Sequence, residues 1–240
     1  MRIGIIGNGF VGGSLCYGFQ EFAELKIYDT DKQRSTHTME EVVQTSDYIF
    51  ICVPTPMNEG DSGRADLSIV ESVMESILHI KGKTHNPIVA IKSSIPPGAG
   101  QKFIIENPNL RIVFNPEFLT ERRANLDFIE ADRIILGGNK ENTAALSVIY
   151  RKRFPNKVII ETDVQSAEFI KYMCNCFFAM KVSFMNEMYQ GAKALGANWE
   201  DALTGFVTDK RVGRSHLMVP GPDGDFGFGG KCFPKDINAF

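Results

Sequence analysis

The chain has 240 residues, 43% of them hydrophobic, and a net charge of −3 at neutral pH, enough for one large domain or two small ones. It has no basic tract to serve as an electrostatic footprint for nucleic acid or anionic lipid, and no apolar run near the ~18 residues that cross a bilayer. The first residues run straight into a strand, so a cytoplasmic protein with no nucleic-acid or membrane partner is expected.

The first element is the apolar run RIGIIG (2–7), which suits a buried parallel strand. GNGFVG follows at once and places Gly7, Gly9 and Gly12 in G-x-G-x-x-G spacing, with Phe10 and Val11 inside the turn and a helix-compatible stretch after it. The first glycine permits a tight turn, the second lets backbone approach a pyrophosphate, and the third lets helix pack on strand. A helix start there offers free N–H groups and a positive dipole end to phosphate. A second strand, LKIYD, ends at Asp29, twenty-two positions after Gly7. An acid at that distance suits a ribose 2′-OH, so the expected cofactor is NAD. Arg34 is of the type that accommodates a 2′-phosphate and leaves NADP open on these residues alone.

Further strands are expected at 47–55, 87–94, 111–118, 133–138 and 157–162, with helices over 66–80 and 140–154. Strands alternating with helices predict an α/β, doubly wound parallel sheet. Ligands of such sheets lie beyond the C-terminal strand ends, which puts VPTP (Val53, Pro54, Thr55), KSS (Ser93, Ser94) and NPEF (Glu117, Phe118) on the cofactor's side.

From about Gln165 the pattern turns helical. The segment 166–196 is apolar on much of its circumference and implies burial on several sides, at a subunit interface or as a central helix within one subunit. Lys171 and Asn175 stand at i and i+4 on one face of it and are either a functional pair or a solvent stripe. Residues 199–213 read as a shorter helix and a turn, and the glycine- and proline-rich stretch after them as a loop. The expected division is an N-terminal unit 1–163 and a helical unit 164–240.

Five cysteines in no framework spacing fit reduced thiols, and Cys174 and Cys176, two apart on a helix, point to different faces, so no metal site is expected. Cys232, in GFGGKCFPKD (227–236), has backbone room around it and Lys231 and Lys235 near in sequence. With NAD at hand, such a thiolate could add to an aldehyde and pass through a thioester to an acid; the same cysteine could equally be a small packed loop residue.

Taken in order, GNGFVG, VPTP with ADLSIV, KSSIPPG, NPEFLTE, DRIILGG, AEFIKYMCN, DKRVG and GFGGKCFPKD resemble the UDP-glucose and GDP-sugar dehydrogenases from the first residue to the last. The resemblance implies a Rossmann-like NAD-binding domain, a helical dimerisation region, and oxidation of a sugar C6 alcohol to a carboxylate with two NAD, UDP-glucose being the expected substrate and a homodimer the expected assembly. It implies Cys232 as nucleophile, Lys171 as stabiliser of the oxyanion, Asn175 as orienter of the reacting oxygen, Asp236 as positioner of water or proton acceptor, and Glu117 as acid/base. Ser94 stands where the family usually has threonine. Gly7, Gly9, Phe10, Val11, Gly12, Asp29, Arg34, Val53, Pro54, Thr55, Ser93, Ser94 and Glu121 would serve the cofactor. Glu117, Phe118, Leu119, Glu121, Lys171, Asn175, Phe228, Gly229 and Gly230 would line the sugar, with Arg211 reaching a neighbouring subunit's site.

The chain departs from the family at Arg122 and Arg123, where a glycine and a small residue are usual. Family members also continue into a second α/β domain that holds much of the nucleotide. The 240 residues are therefore expected to lack most of that site, as part of a full dehydrogenase or as an NAD-binding, dimerising module with little turnover. GDP-mannose and UDP-N-acetylmannosamine enzymes share most of these motifs.

Overall fold

The computed structural model describes residues 1–57, 65–82, 85–230 and 233–239, without the side chain of Glu121. They divide into two compact units, Met1–Lys171 and Tyr172–Phe240. The division falls inside one long helix.

In the first unit β1 (Arg2–Ile6), β2 (Glu24–Tyr28), β3 (Tyr48–Ile51), β4 (Ile88–Ile91), β5 (Arg111–Phe114), β6 (Arg133–Gly138) and β7 (Val158–Thr162) form one sheet in the order β2-β1-β3-β4-β5-β6-β7. Helices α1 (Phe10–Phe19), α2 (Met39–Thr45), α3 (Ser68–Ile80), α4 (Ala99–Glu106), α5 (Ala124–Glu130) and α6 (Lys140–Arg153) connect the strands. β4 is buried at every position, Ile88 to Ile91, which is why its sequence shows no alternation. Each fully buried Ile, Leu or Val contributes roughly 1.5–3 kcal/mol, and the two faces of the sheet collect separate apolar clusters, one around Ile51, Val89 and Phe103, the other around Phe19, Phe50 and Tyr150. Phe19 meets Phe128, Tyr150 and Phe154 edge-on, with ring centroids 5.7–6.3 Å apart.

The sheet is parallel except at one junction, where β5 and β6 run antiparallel through Val113–Gly138 and Phe114–Gly137. Strands end earlier than expected: β3 stops at Ile51, and the chain leaves the sheet where Pro54 and Pro56 follow. β1, β3, β4 and β5 are mutually parallel, so the segments after Ile6, Ile51, Ile91 and Phe114 emerge along one edge.

α7 (Val164–Leu195) starts in the first unit and continues in the second. The second unit also holds α8 (Trp199–Phe206), α9 (Phe233–Ala239) and the loop before α9, with no strand among its described residues. Asn198 caps α8 by accepting from the N–H groups of Glu200 and Asp201 at 3.0 and 3.4 Å. Its core is a small group of Met185, Leu217 and Val219 against Tyr189, Trp199 and Leu203.

Candidate functional site

The glycine turn is built as its spacing predicts. Gly7 adopts φ +92°, and its N–H donates to the Tyr28 carbonyl at 2.8 Å, tying the turn to β2. A Cβ at Gly12 would lie 2.0 Å from the Gly7 carbonyl oxygen, so α1 can sit this close to β1 only with glycine there. A Cβ at Gly9 would meet nothing within 4 Å, leaving the mouth of the turn open above the start of α1. Phe10 is exposed and Val11 half-buried. Asp29 closes β2 and accepts from the Asn8 N–H at 2.6 Å and the Asp31 N–H at 2.9 Å, which fixes its carboxylate beside the turn. The exposed Arg34 pairs with Asp31 at 3.3 Å. An open turn, a bare helix start and a carboxylate held beside them fit a dinucleotide's pyrophosphate and ribose.

Next along the same edge, the segments after β3 and β4 are sewn together. Thr55 donates its hydroxyl proton to the Ser94 carbonyl, and Ser93 donates to the Val53 carbonyl, both at 2.7 Å. Pro54 is exposed, and Ser94 is half-buried.

After β5 the NPEF segment turns inward. Glu117 and Lys171 are 4% and 3% exposed, and the Lys171 Nζ donates to Glu117 Oε1 at 2.8 Å and also to the Glu117 carbonyl. The other carboxylate oxygen of Glu117 accepts from the Leu119 N–H at 2.7 Å. Burial pushes the Glu117 carboxyl up; the Lys171 charge and hydrogen bond, the Leu119 N–H and the Lys92 charge outweigh it and hold the group below its ordinary value. Phe118 is half-buried, with Lys171 Nζ 5.3 Å and Arg133 Cζ 4.9 Å from its ring centroid. Half-buried Leu119 follows it. The turn of α7 before Lys171 is fastened by Glu168, fully buried, which accepts from the N–H groups of Gly98 and Gly100 at 2.8 and 2.6 Å.

Sequence reasoning passed over Lys92, Asn115 and Tyr150. Lys92 is 4% exposed and donates to the Asn115 carbonyl and side-chain oxygens at 3.4 and 3.3 Å. Asn115 donates to the Ile135 carbonyl at 2.9 Å and accepts from the Tyr150 hydroxyl. The available signal was position: Lys92 directly follows the wholly apolar IVAI of β4, where a side chain has protein on both sides.

In the second unit Asn175 donates its side-chain N–H to Asp236, and Lys235 Nζ donates to the other carboxylate oxygen of Asp236 at 2.7 Å. Asn175, Lys235 and Asp236 are all buried, Asp236 fully. Arg211 is exposed and folded onto Asp209, its guanidinium 2.6–3.1 Å from both carboxylate oxygens. Phe228 is half-buried, and Gly229 and Gly230 are exposed in the loop before α9. Cys232 and Lys231 lie outside the described residues, as does the side chain of Glu121, whose backbone opens a short 3₁₀ turn, Glu121–Arg123.

Residues 25–154 match the NAD binding domain of the UDP-glucose/GDP-mannose dehydrogenase family, and residues 165–240 match that family's central domain. The chain belongs to this family. The cofactor of its N-terminal unit is accordingly NAD. The chain is 37% identical over 216 residues to UDP-glucose 6-dehydrogenase of Rickettsia conorii, covering 88% of this chain and 48% of the relative. It is 33% identical over 232 residues to UDP-glucose 6-dehydrogenase TuaD of Bacillus subtilis, covering 92% and 47%. A solved UDP-glucose dehydrogenase from Pyrobaculum islandicum superposes with a TM-score of 0.84 at 29% identity, over 99% of this chain and 62% of that one. A GDP-mannose dehydrogenase from Pseudomonas aeruginosa gives 0.77 at 29% identity, over 100% and 63%. The chain thus spans about half the length of the curated relatives it matches.

Proposed function

We propose that the chain carries the reaction residues of an NAD-dependent, four-electron oxidation of a nucleotide sugar's C6 alcohol, UDP-glucose to UDP-glucuronate. The observation that carries this reading is the buried Glu117–Lys171 pair just past the C-terminal end of β5, the edge that also bears the glycine turn. A lysine and a glutamate out of water at 2.8 Å are costly for stability alone, and chemistry that develops an oxyanion and then activates water gives both a use.

When bound, NAD accepts the hydride of each oxidation. The chain's residues do the rest. The Cys232 thiolate adds to the aldehyde carbon, forming a C–S bond and an alkoxide. Lys171 Nζ stabilises that oxyanion, and Asn175, one helical turn along α7, orients the oxygen. Loss of the second hydride leaves a thioester. Glu117, kept ionised by its surroundings, takes a proton from the attacking water; the C–S bond breaks, and acid and thiol are released. Asp236, held by Asn175 and Lys235, accepts the alcohol proton released with the first hydride or positions that water. The glycine turn, Asp29, Arg34, the VPTP and KSS segments and Glu121 bind NAD, and Phe228, Gly229 and Gly230 cover the sugar. In this reading residues 1–163 act as the cofactor-binding domain and 164–240 as the domain of the nucleophile and of assembly, and the protein works in the cytoplasm.

The assembly is a homodimer. On α7 the side chains of Phe169, Met173, Phe177, Met180, Phe184 and Met188 recur every three or four residues and are each 46–59% exposed, a seam that a second copy of the same helix fits. Arg211 would then serve the other protomer's site.

The test is a count of NADH per sugar consumed. Two per UDP-glucose support the reading. One reduces it to a two-electron dehydrogenase, and preferential turnover of GDP-mannose reassigns the substrate. NAD binding without turnover leaves a binding and dimerising module. Cys232→Ser is expected to abolish acid formation; undiminished acid in that variant refutes the nucleophile.

A further inference from the structure

Among the described residues, two buried cations act electrostatically on Glu117. Lys171 is the obvious partner. Lys92, at the end of β4, is held on Asn115 two residues before Glu117 and is buried to the same degree. Lys92, Asn115, Glu117 and Tyr150 all line one cavity of about 40 Å³, room for roughly one water molecule. Asn115 is held by Ile135 and Tyr150, so the partner of the Lys92 ammonium is fixed to the sheet and to α6. Lys171 differs in this respect, since its proposed work draws its ammonium from Glu117 toward a developing oxyanion. A buried carboxylate deprived of its only cation would take up a proton and cease to be a base.

We propose that Lys92 is a positioning residue for this reaction: a fixed second cation that keeps Glu117 ionised, and so able to accept water's proton, while Lys171 serves the oxyanion. The inference rests on the roles given to Glu117 and Lys171 above, but its test requires no turnover.

The groups facing Lys92 are the Cys52 thiol after β3, Asn115 and Glu117 after β5, Tyr150 on α6 and Lys171 on α7. Burial pushes the Cys52 thiol up to about 12 and the Tyr150 hydroxyl well above its usual value. Burial lowers Lys92 to about 8, with Cys52 and Glu117 opposing that shift and Lys171 adding to it. Of Lys92, Cys52 and Tyr150, Lys92 is the one that changes charge near pH 8.

The experiment is NMR titration of the full chain carrying ¹³C-carboxyl glutamate and ¹³Cε-lysine, with Glu117 and Lys92 assigned by loss of signal in Glu117→Gln and Lys92→Met. In the wild type the Glu117 carboxyl signal is expected to step at the pH where Lys92 titrates. In Lys92→Met its own midpoint is expected to rise by about one pH unit or more, while Lys92→Arg retains the low midpoint. An unchanged midpoint in Lys92→Met overturns the proposal, as does an equal rise in Lys92→Arg, which assigns the effect to packing. Should Lys92→Met fail to fold, the wild-type titration decides: a Glu117 signal blind to the Lys92 step sinks the idea. Coupling without two NADH per sugar leaves this inference standing and fails the proposed function alone.

Discussion

The two units hold their polar groups by different means. In the first, Glu117, Lys171, Lys92 and Asn115 sit at the edge of a sheet with two large apolar clusters. In the second, the buried Asn175–Asp236–Lys235 group has a far smaller apolar core, and α7 turns a row of phenylalanines and methionines outward. The first unit holds its buried polar groups within its own packing; the second leaves apolar surface exposed, which the proposed dimer would cover.

The sharpest way to break this contrast is Lys171→Met. The substitution keeps the side chain's bulk and leaves Glu117 buried without its nearest cation, at an expected cost of about 3–5 kcal/mol in urea unfolding. Glu117→Gln combined with Lys171→Met removes both charges and is expected to recover most of that loss, as a double-mutant cycle will show. A loss below about 1 kcal/mol in the single variant would mean that water reaches the pair and that the first unit is no better sealed than the second.

Somewhat smaller is the pH effect of Lys92. Its folded midpoint, about 8, lies below the ordinary 10.5, so between those values unfolding takes up a proton and stability rises with pH. Ionised Lys92 therefore costs stability in full below about pH 8, by about 3 kcal/mol for a gap of this size, and the cost vanishes near 10.5. Lys157, lowered to about 8 chiefly by burial, titrates in the same window, so the quantity to measure is the wild-type curve minus that of Lys92→Met. A flat difference between pH 7 and 10 would refute the buried charge.

Which of these groups could be read in advance follows from what local sequence encodes. The glycine turn was legible because Gly7 and Gly12 answer to backbone geometry within a few residues. The strands were legible as unbroken apolar runs, but not their ends, since Cys52 and Val53 continue the composition after the ladder stops. Helices α2, α4 and α5, seven or eight residues each, are too short to show a period. The antiparallel turn of β6 against β5 was invisible, because direction is set by the path between strands and not by their residues. Glu117 and Lys171 could be named from motifs, yet their pairing joins positions 54 apart. Lys92, Asn115 and Tyr150 went unread because their network joins β4, the segment after β5 and α6, and a lysine beside two serines looks solvated.

The seam on α7 gives the next effect. Phe177→Asp places a charge among side chains that are half exposed in the single chain, so the folded monomer is expected to lose little. With Phe177 already half buried, a dimer on that seam would lose roughly 1.5–3 kcal/mol of apolar burial over its two protomers, about tenfold or more in dissociation constant, before the cost of the charge. Light scattering across a dilution series reads the result. A wild type that is monomeric at every concentration would remove the dimer and leave the second unit's exposed apolar surface without that explanation.

The smallest effects compare the units on equal terms. Asn139 caps α6 in the first unit, accepting from the Asn142 N–H at 3.0 Å, and Asn198 caps α8 in the second by the same device. Each Asn→Ala change removes one such acceptor and is expected to cost ~1 kcal/mol, about fivefold in an opening equilibrium. Where the cost registers should differ. α6 buries Leu146, Ile149 and Tyr150 in the sheet's cluster, so amides there should exchange through global unfolding, and Asn139→Ala should speed exchange across the first unit together. α8 has no fully buried residue, so Asn198→Ala should raise exchange in α8 alone. Equal and chain-wide acceleration by both variants would show one cooperative body, and the contrast between a large-cored sheet unit and a small-cored helical unit would have to be abandoned.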